Sequence, residues 1–307
     1  YSNLKIVNVY KNSKFSIRKK IINKSKNQYF YIKCNINNKN KIINILKKYS
    51  IDTVINFAAE SHVDRSILKP EYFFKNNMYD TIKLVSSCLE VWGIKGFDNK
   101  KFIQISTDEV FGSTQKHISF NENSKYNPSS PYSASKAAVD LALNSFHNTY
   151  EFPYIIIHCC NNFGPYQNKE KFIPTIINSC VNKKKIPIYG TGLNERQWIH
   201  VDDNCEAIDK IMLNGKISQN YNIGTKNILS NINLVKKICT FFTKKYDPSF
   251  SFINLIKFVD DRPGHDFKYN LNYSKIKKKL KWYPKNNFDK KLEYTLEWYL
   301  DNLNHLN

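Results

Sequence analysis

The sequence predicts an α/β protein with a doubly wound parallel sheet and a smaller mixed lobe after it. Three observations carry this expectation. Near-continuous apolar runs such as IDTVINFAA (51–59), KFIQIS (101–106) and YIIIHC (154–159) lack a polar face, as strands covered on both sides require. Helical-period segments lie between them, so strand and helix alternate through the first two-thirds of the chain. After about residue 165 the alternation loosens. The expected division is residues 1–165 as the main domain and 166–307 mainly as a second lobe, with some elements returning to the main sheet.

Taken in order, strands are expected over 4–10 and 29–36. Residues 40–49 read as a helix, with Ile42, Ile43, Ile45 and Leu46 on one side. The strand at 51–59 follows, then a long helix over 71–92, the strand at 101–106, a helix over 131–150 and the strand at 154–159. The polar loop 120–130 between them is stiffened by Pro128 and closed by Pro131. In the second half, helix 172–181 precedes a short strand at 186–189 and Gly190-Thr191-Gly192. A strand at 197–201 leads into a helix over 202–213, and later helices span 231–245 and 288–303. Sheets of this kind bind ligands at the carboxyl ends of their strands.

A dinucleotide fold opens with a strand, a G-x-G-x-x-G-like turn and, about 20 residues on, an acidic residue. Nothing before Leu4 supplies that turn, and the chain opens on Tyr1. The sequence is therefore expected to start inside the domain, with the first strand, the glycine turn and most of the first helix missing.

Composition narrows the function. Hydrophobic residues make up 41% and aromatics 14%, which suits a packed domain. There is no run of 18 apolar residues, so no transmembrane helix is expected, nor is a signal peptide. Seven scattered cysteines, an odd number without a CxxC, suggest neither a disulfide framework nor a zinc site, and point to a reducing cytosol. No metal is expected at His62 or His265, since no acidic or cysteine cluster accompanies them in the sequence. The formal net charge is +21, but its basic residues are spread over 18–24, 183–185 and 275–281 rather than gathered in one arm. That distribution fits a drift toward lysine, asparagine and isoleucine, so no nucleic-acid partner is expected. The charge still favours an anionic substrate.

Chemistry concentrates in two motifs, Ser106-Thr107-Asp108-Glu109 and Tyr132-Ser133-Ala134-Ser135-Lys136. Lys136 follows Tyr132 by four residues, so both face the same side of a helix. An ammonium beside a phenol is expected to lower the phenol's pKa and ready it to take a hydroxyl proton. Two adjacent carboxylates push their pKa values apart, so one keeps a proton near neutrality. Adjacent strand residues point to opposite sides, so the pair is expected in irregular backbone just past the strand.

These motifs, with FAAESHVDRS (57–66), NNFGPY (161–166), EKFIP (170–174), PIYG (187–190), YNIG (221–224) and DRPGHD (261–266), resemble the nucleotide-sugar 4,6-dehydratases. Those enzymes belong to the extended short-chain dehydrogenase/reductase family. The resemblance runs over nearly the whole chain. It implies a Rossmann-like NAD-binding domain and an internal redox cycle on a nucleotide hexose, with dTDP-glucose favoured over UDP- or GDP-sugars. Tyr132 is implied as the base at the C4 hydroxyl and Lys136 as its partner, which also holds the nicotinamide ribose. Thr107 is implied to hold the C4 oxygen, Glu109 to take the C5 proton and Asp108 to protonate the departing C6 hydroxyl. Cofactor contacts are implied at Asn35, Ile36, Phe57, Ala58, Ala59, Ser61, Asn77 and Asn162, besides Tyr132 and Lys136. Substrate contacts are implied at Ser61, Asn161, Lys171, Pro187, Ile188, Tyr189, Arg196, Asn222, Arg262 and His265, besides Thr107. Arg196 and Arg262 suit a diphosphate, because a guanidinium fork meets phosphate oxygens bidentately. The sequence departs from the family at Tyr10, Asn35 and Asp80, all on the cofactor side. A homodimer through the helices at 71–92 and 131–150 is also implied.

Overall fold

Side-chain alternation on the central strands decides the architecture. In the computed structural model, which describes residues 5–11, 29–94, 97–115, 118–285 and 287–306, β3 (Thr53–Asn56), β4 (Lys101–Thr107), β5 (Tyr154–Cys159) and β9 (Gln219–Ile223) form one all-parallel sheet in that order. Phe102, Tyr154 and Ile156 point to one face. There they meet α1 (Lys39–Lys48), α4 (Asp80–Trp92) and α5 (Pro131–Tyr150) through Ile45, Leu84, Val85, Val139 and Leu143. Ile103, Ile155 and Ile157 point the other way, onto Ala207, Ile208 and Ile211 of α7 (Val201–Asn214) and Ile276 of α9 (Ser274–Leu280). A strand buried on both faces needs mostly apolar side chains, which explains the near-continuous runs in the sequence, while buried polar positions such as Gln104, Ser106 and His158 are hydrogen-bonded.

β1 (Ile6–Tyr10) and β2 (Tyr29–Lys33) pair in parallel as a separate two-stranded ladder. Among the described residues, no strand joins that ladder to β3. Leu4 and the basic run 18–24 lie outside the described residues.

The second lobe has its own core. It gathers Ile173, Ile176 and Ile177 of α6 (Phe172–Val181) with Leu234, Val235 and Ile238 of α8 (Asn231–Lys245) and Leu292 and Leu296 of α10 (Phe288–Asp301). Two small sheets serve this half. One orders β10 (Ile228–Ser230), β8 (Glu195–His200) and β6 (Asn161–Phe163), and the other pairs β7 (Ile186–Tyr189) with β11 (Ile256–Val259). β9 returns from this half of the chain to the main sheet.

The helix expected over 71–92 runs on helical backbone from Pro70 to Trp92, with a π-helical turn inside it. α2 (Val63–Leu68) is capped by His62, whose Nδ1 accepts from the Arg65 amide at 3.4 Å. A short α3 (Pro70–Phe73) follows, then a π-helical turn over Phe74–Tyr79 that widens the backbone before α4 begins.

Candidate active site

β4 ends at Thr107, and the chain turns at once into a 3-10 turn, Asp108–Phe111. The Thr107 hydroxyl accepts from the Glu109 amide at 3.3 Å and donates to Asp108 Oδ1 at 3.2 Å. The turn closes on Gly112 at φ 73°, where a Cβ would lie 2.3 Å from the Asn127 carbonyl oxygen. The carboxylates of Asp108 and Glu109 therefore leave irregular backbone, as their adjacency demanded. Asp108 is buried, and its Oδ2 has no hydrogen-bond partner among the described residues. Burial, then the neighbouring Glu109, pushes its pKa up to about 8, with Arg196 pulling the other way. Burial raises Glu109 too, while Arg262, Arg196 and Lys171 draw it down. Burial thus raises both carboxyls, and three cations pull back on Glu109 where one pulls back on Asp108.

α5 brings the second device. Its start is fixed by Pro131 and by a reciprocal cap, in which Ser130 Oγ accepts from the Ser133 amide and Ser133 Oγ accepts from the Ser130 amide. Tyr132 is buried edge-on against Phe73, with ring centroids 6.5 Å apart. Lys136 is buried one turn on, and its ammonium donates to the Ile105 carbonyl oxygen at 2.6 Å. Burial draws the ammonium's pKa down to about 8, and Asp140 pulls it back up. The expected lowering of the Tyr132 phenol is reversed. Burial raises it first and the Glu109 charge next, while a hydrogen bond with Thr107 works downward. The physical reason is that Lys136 points at a strand carbonyl, while the phenol shares its pocket with two carboxyls.

The cofactor-side residues divide. Phe57, Ala58 and Ala59 are exposed just past β3, and the Ala58 amide donates to Asn56 Oδ1. Asn77 lies in the π-helical turn, buried, with its side chain donating to the Glu60 carbonyl and to Ser135 Oγ and accepting from the Glu60 amide at 2.7 Å. It thereby ties the loop after β3 to the helix of Tyr132. Asn162 donates to the Cys160 carbonyl, while its Oδ1 is buried without a partner among the described residues. Asn35 Oδ1 accepts from the Asn37 amide, and Ile36 packs at the rim of the core. The Asn37 amide side chain in turn reaches Asp80 Oδ2 at 3.0 Å.

On the substrate side, Lys171 donates to the carbonyl and hydroxyl of Ser61, at 2.7 Å and 3.0 Å. Tyr189 donates to Asp64 Oδ2 at 3.0 Å, and Arg262 reaches Asp64 Oδ1 at 3.4 Å. His265 stands edge-on to Tyr189 and bonds Asp261 at 2.6 Å. Arg196 lies 4.2 Å over the Tyr269 ring and donates to the carbonyls of Glu195, Asp266 and Phe267. Asn161 begins β6, opposite Trp198.

Two of the expected contact residues have buried side chains. Alternation on β7 leaves Pro187 and Tyr189 exposed and turns the Ile188 side chain into the lobe core. Asn222 lies beside His158 on the main sheet, fully buried, with its side chain bonded to His158 Nδ1 and the Phe120 carbonyl. Sequence reasoning also passed over Asp64. It sits inside FAAESHVDRS, but its pairing with Arg262 spans 198 positions that no local pattern links.

Fold and site together define an extended short-chain dehydrogenase/reductase to which a carboxylate pair has been added. The chain belongs to the nucleotide-sugar dehydratase family whose model, described as GDP-mannose 4,6 dehydratase, matches residues 1–295. Among its relatives, a probable dTDP-glucose 4,6-dehydratase from Sinorhizobium fredii is 41% identical over 82% of this chain and 73% of its own. A dTDP-glucose 4,6-dehydratase from Streptomyces venezuelae, solved with NAD and TYD bound, superimposes with a TM-score of 0.88 at 30% identity, covering 98% of this chain and 88% of that one. The Bacillus anthracis dTDP-glucose 4,6-dehydratase in complex with NAD gives a TM-score of 0.85 at 34% identity, over 99% and 90%.

Proposed function

We propose that this chain dehydrates dTDP-glucose to dTDP-4-keto-6-deoxyglucose, using NAD as a cofactor that ends each turnover as it began. One observation carries the reading: two adjacent carboxyls, Asp108 and Glu109, in the turn just past β4 and in the pocket of Tyr132, with cations acting on Glu109 from Arg262, Arg196 and Lys171. An epimerase needs the tyrosine alone. A dehydratase must also move a proton off C5 and give one to the C6 hydroxyl, and two carboxyls held in unlike surroundings suit those two tasks.

The residues fit NAD at its nicotinamide end. Ala58 and Ala59 offer small exposed side chains after β3, and the unpartnered Asn162 Oδ1 is an acceptor suited to a carboxamide. NAD held there would supply a hydride acceptor for C4 and a hydride donor for C6. Tyr132 would take the C4 hydroxyl proton while Thr107 holds that oxygen. Lys136, one helical turn from Tyr132, would hold the ribose. Glu109 would remove the C5 proton, which the C4 ketone makes acidic, and return it to C5 as C6 is reduced, while Asp108 gives its proton to the departing C6 hydroxyl, which leaves as water. Lys171, Arg196 and Arg262 supply charge for the diphosphate, with Tyr189 at the base and Asp64 orienting Tyr189 and Arg262.

Two coarser features join this reading. Leu68 is 80% exposed and Leu141 61%, and with Tyr72 and Tyr79 they mark the helices through which a homodimer would form. All seven cysteines are unpaired, six of them buried, which favours a reducing cytosol. The test is incubation of the protein with NAD and dTDP-glucose, following the 4-keto product by NMR. Formation of that product is expected. No product, or product from UDP- or GDP-glucose alone, overturns the assignment.

A further inference from the structure

Between β6 and α6 the chain turns back on itself through two positive-φ residues. Gly164 has φ 146°, and a Cβ there would lie 2.6 Å from Val201 Cγ1. Tyr166 has φ 63°. A left-handed residue other than glycine persists only where its surroundings fix it. Here the fixing comes from the second lobe. The rings of Trp298, in α10, and of His305 lie 4.5 Å and 5.1 Å from the Tyr166 ring. Tyr299, fully buried in the lobe core, donates its hydroxyl to the Gln167 carbonyl oxygen at 3.1 Å.

The turn thereby delivers Gln167 to Asn162. The Gln167 side-chain nitrogen donates to the Asn162 carbonyl oxygen at 2.8 Å, and the Asn162 side-chain nitrogen donates to the Cys160 carbonyl oxygen at 3.0 Å. A carbonyl only accepts, so each of these amides has one orientation. Each uses its NH2 on the main chain and keeps a buried oxygen with no partner among the described residues. An acceptor in that state is unfavourable until a donor meets it. The bonds begin at the catalytic end of the main sheet, because Cys159 stands opposite Thr107 in the pairing of β4 with β5.

We propose that Gln167 is a positioning residue for the cofactor: by holding the main chain of Asn162 it fixes Asn162 Oδ1 as the acceptor for the carboxamide NH2 of the nicotinamide, and α10 secures Gln167 through Tyr299. This rests on the place given to Asn162 in the reading above. Gln167 acts through Asn162, so its effect belongs to the nicotinamide end of the cofactor and leaves the adenosine end alone.

The test is the affinity of the protein, by calorimetry, for NAD, for its acetylpyridine analogue and for ADP-ribose. The analogue has a methyl group in place of the carboxamide NH2, and ADP-ribose has no nicotinamide. Wild type is expected to favour NAD over the analogue by about tenfold, the worth of one well-placed hydrogen bond. Gln167→Met keeps the side-chain length and loses the donor. It is expected to bring that ratio to within about twofold, with the affinity for ADP-ribose unchanged. If Gln167→Met does not fold, Tyr299→Phe shifts the ratio in the same direction by less. Equal weakening of NAD and ADP-ribose, or an unchanged ratio, overturns the proposal and leaves Gln167 as a brace for the turn. A wild type that binds NAD no better than the analogue, or not at all, overturns it as well. A preference lost in Gln167→Met, beside a wild type that makes no 4-keto product from dTDP-glucose, overturns the dehydratase reading alone.

Discussion

At the scale of residues, the site works by uneven burial. Asp108 holds its proton up to about pH 8, whereas an ordinary aspartate loses it near 3.8. The elimination step is therefore expected to slow as pH rises through about 8, read from kcat against pH. The linkage runs the same way. Between those values the unfolded chain has lost a proton that the native chain keeps, so this group's contribution to stability falls as pH climbs. Asp108→Asn removes that penalty. It is expected to be more stable than wild type at pH 8, with little gain at pH 4, in urea unfolding at both. The same change should cost about 10²–10⁴ in kcat, the usual worth of a positioned acid. The sequence made this pair legible, because adjacency alone forces the two pKa values apart. It did not reveal the phenol's environment. Tyr132 is governed by burial and by Glu109, which sits 23 positions away and meets it only once β4 and α5 are side by side.

At the scale of elements, regular pieces were readable and irregular ones were not. The bounds of α5, α6 and α8 follow from apolar periodicity ended by a recognisable cap or breaker, such as Ser130 with Pro131. The π-helical turn at Phe74–Tyr79 has no such signature, since FKNNMY continues the polar and apolar mixture of the helix after it. What selects it is tertiary: the wider turn aims Asn77 at both Glu60 and Ser135. Asn77→Ala leaves a buried amide, carbonyl and hydroxyl short of partners. A loss of about 1–3 kcal/mol is expected by denaturant titration. Gly112→Ala tests the 3-10 turn in the same way. Its positive φ alone costs about 1–3 kcal/mol in a residue with a Cβ, before the approach to Asn127 is counted. Small strands such as β10 and β11 also escaped the sequence reading, because three or four residues carry too little alternation to stand out.

At the scale of the whole molecule, the second half both builds a cluster of its own around α6, α8 and α10 and covers one face of the main sheet with α7 and α9. Glu109 feels Lys171 and Arg262 from the second half as well as its own neighbours, and Asp64 of α2 reaches across to Tyr189 and Arg262. Doubling the separation of such contacts in sequence leaves no local trace, which is why the lobe was legible as a pattern and its junction was not. β4 and β5, paired on both sides and buried on both faces, are expected to be the slowest segments in amide hydrogen exchange. β1 and β2, with one partner each among the described residues, should exchange faster, as mass spectrometry of peptic fragments would read.

Thr53-Val54-Ile55-Asn56 has the composition of a strand meant for the middle of a sheet, and among the described residues it pairs on one side only, with β4. Its Val54 and Ile55 side chains are half-buried, so amide exchange along β3 is expected to fall between that of β4 and that of β1 and β2, as the same peptic fragments would read.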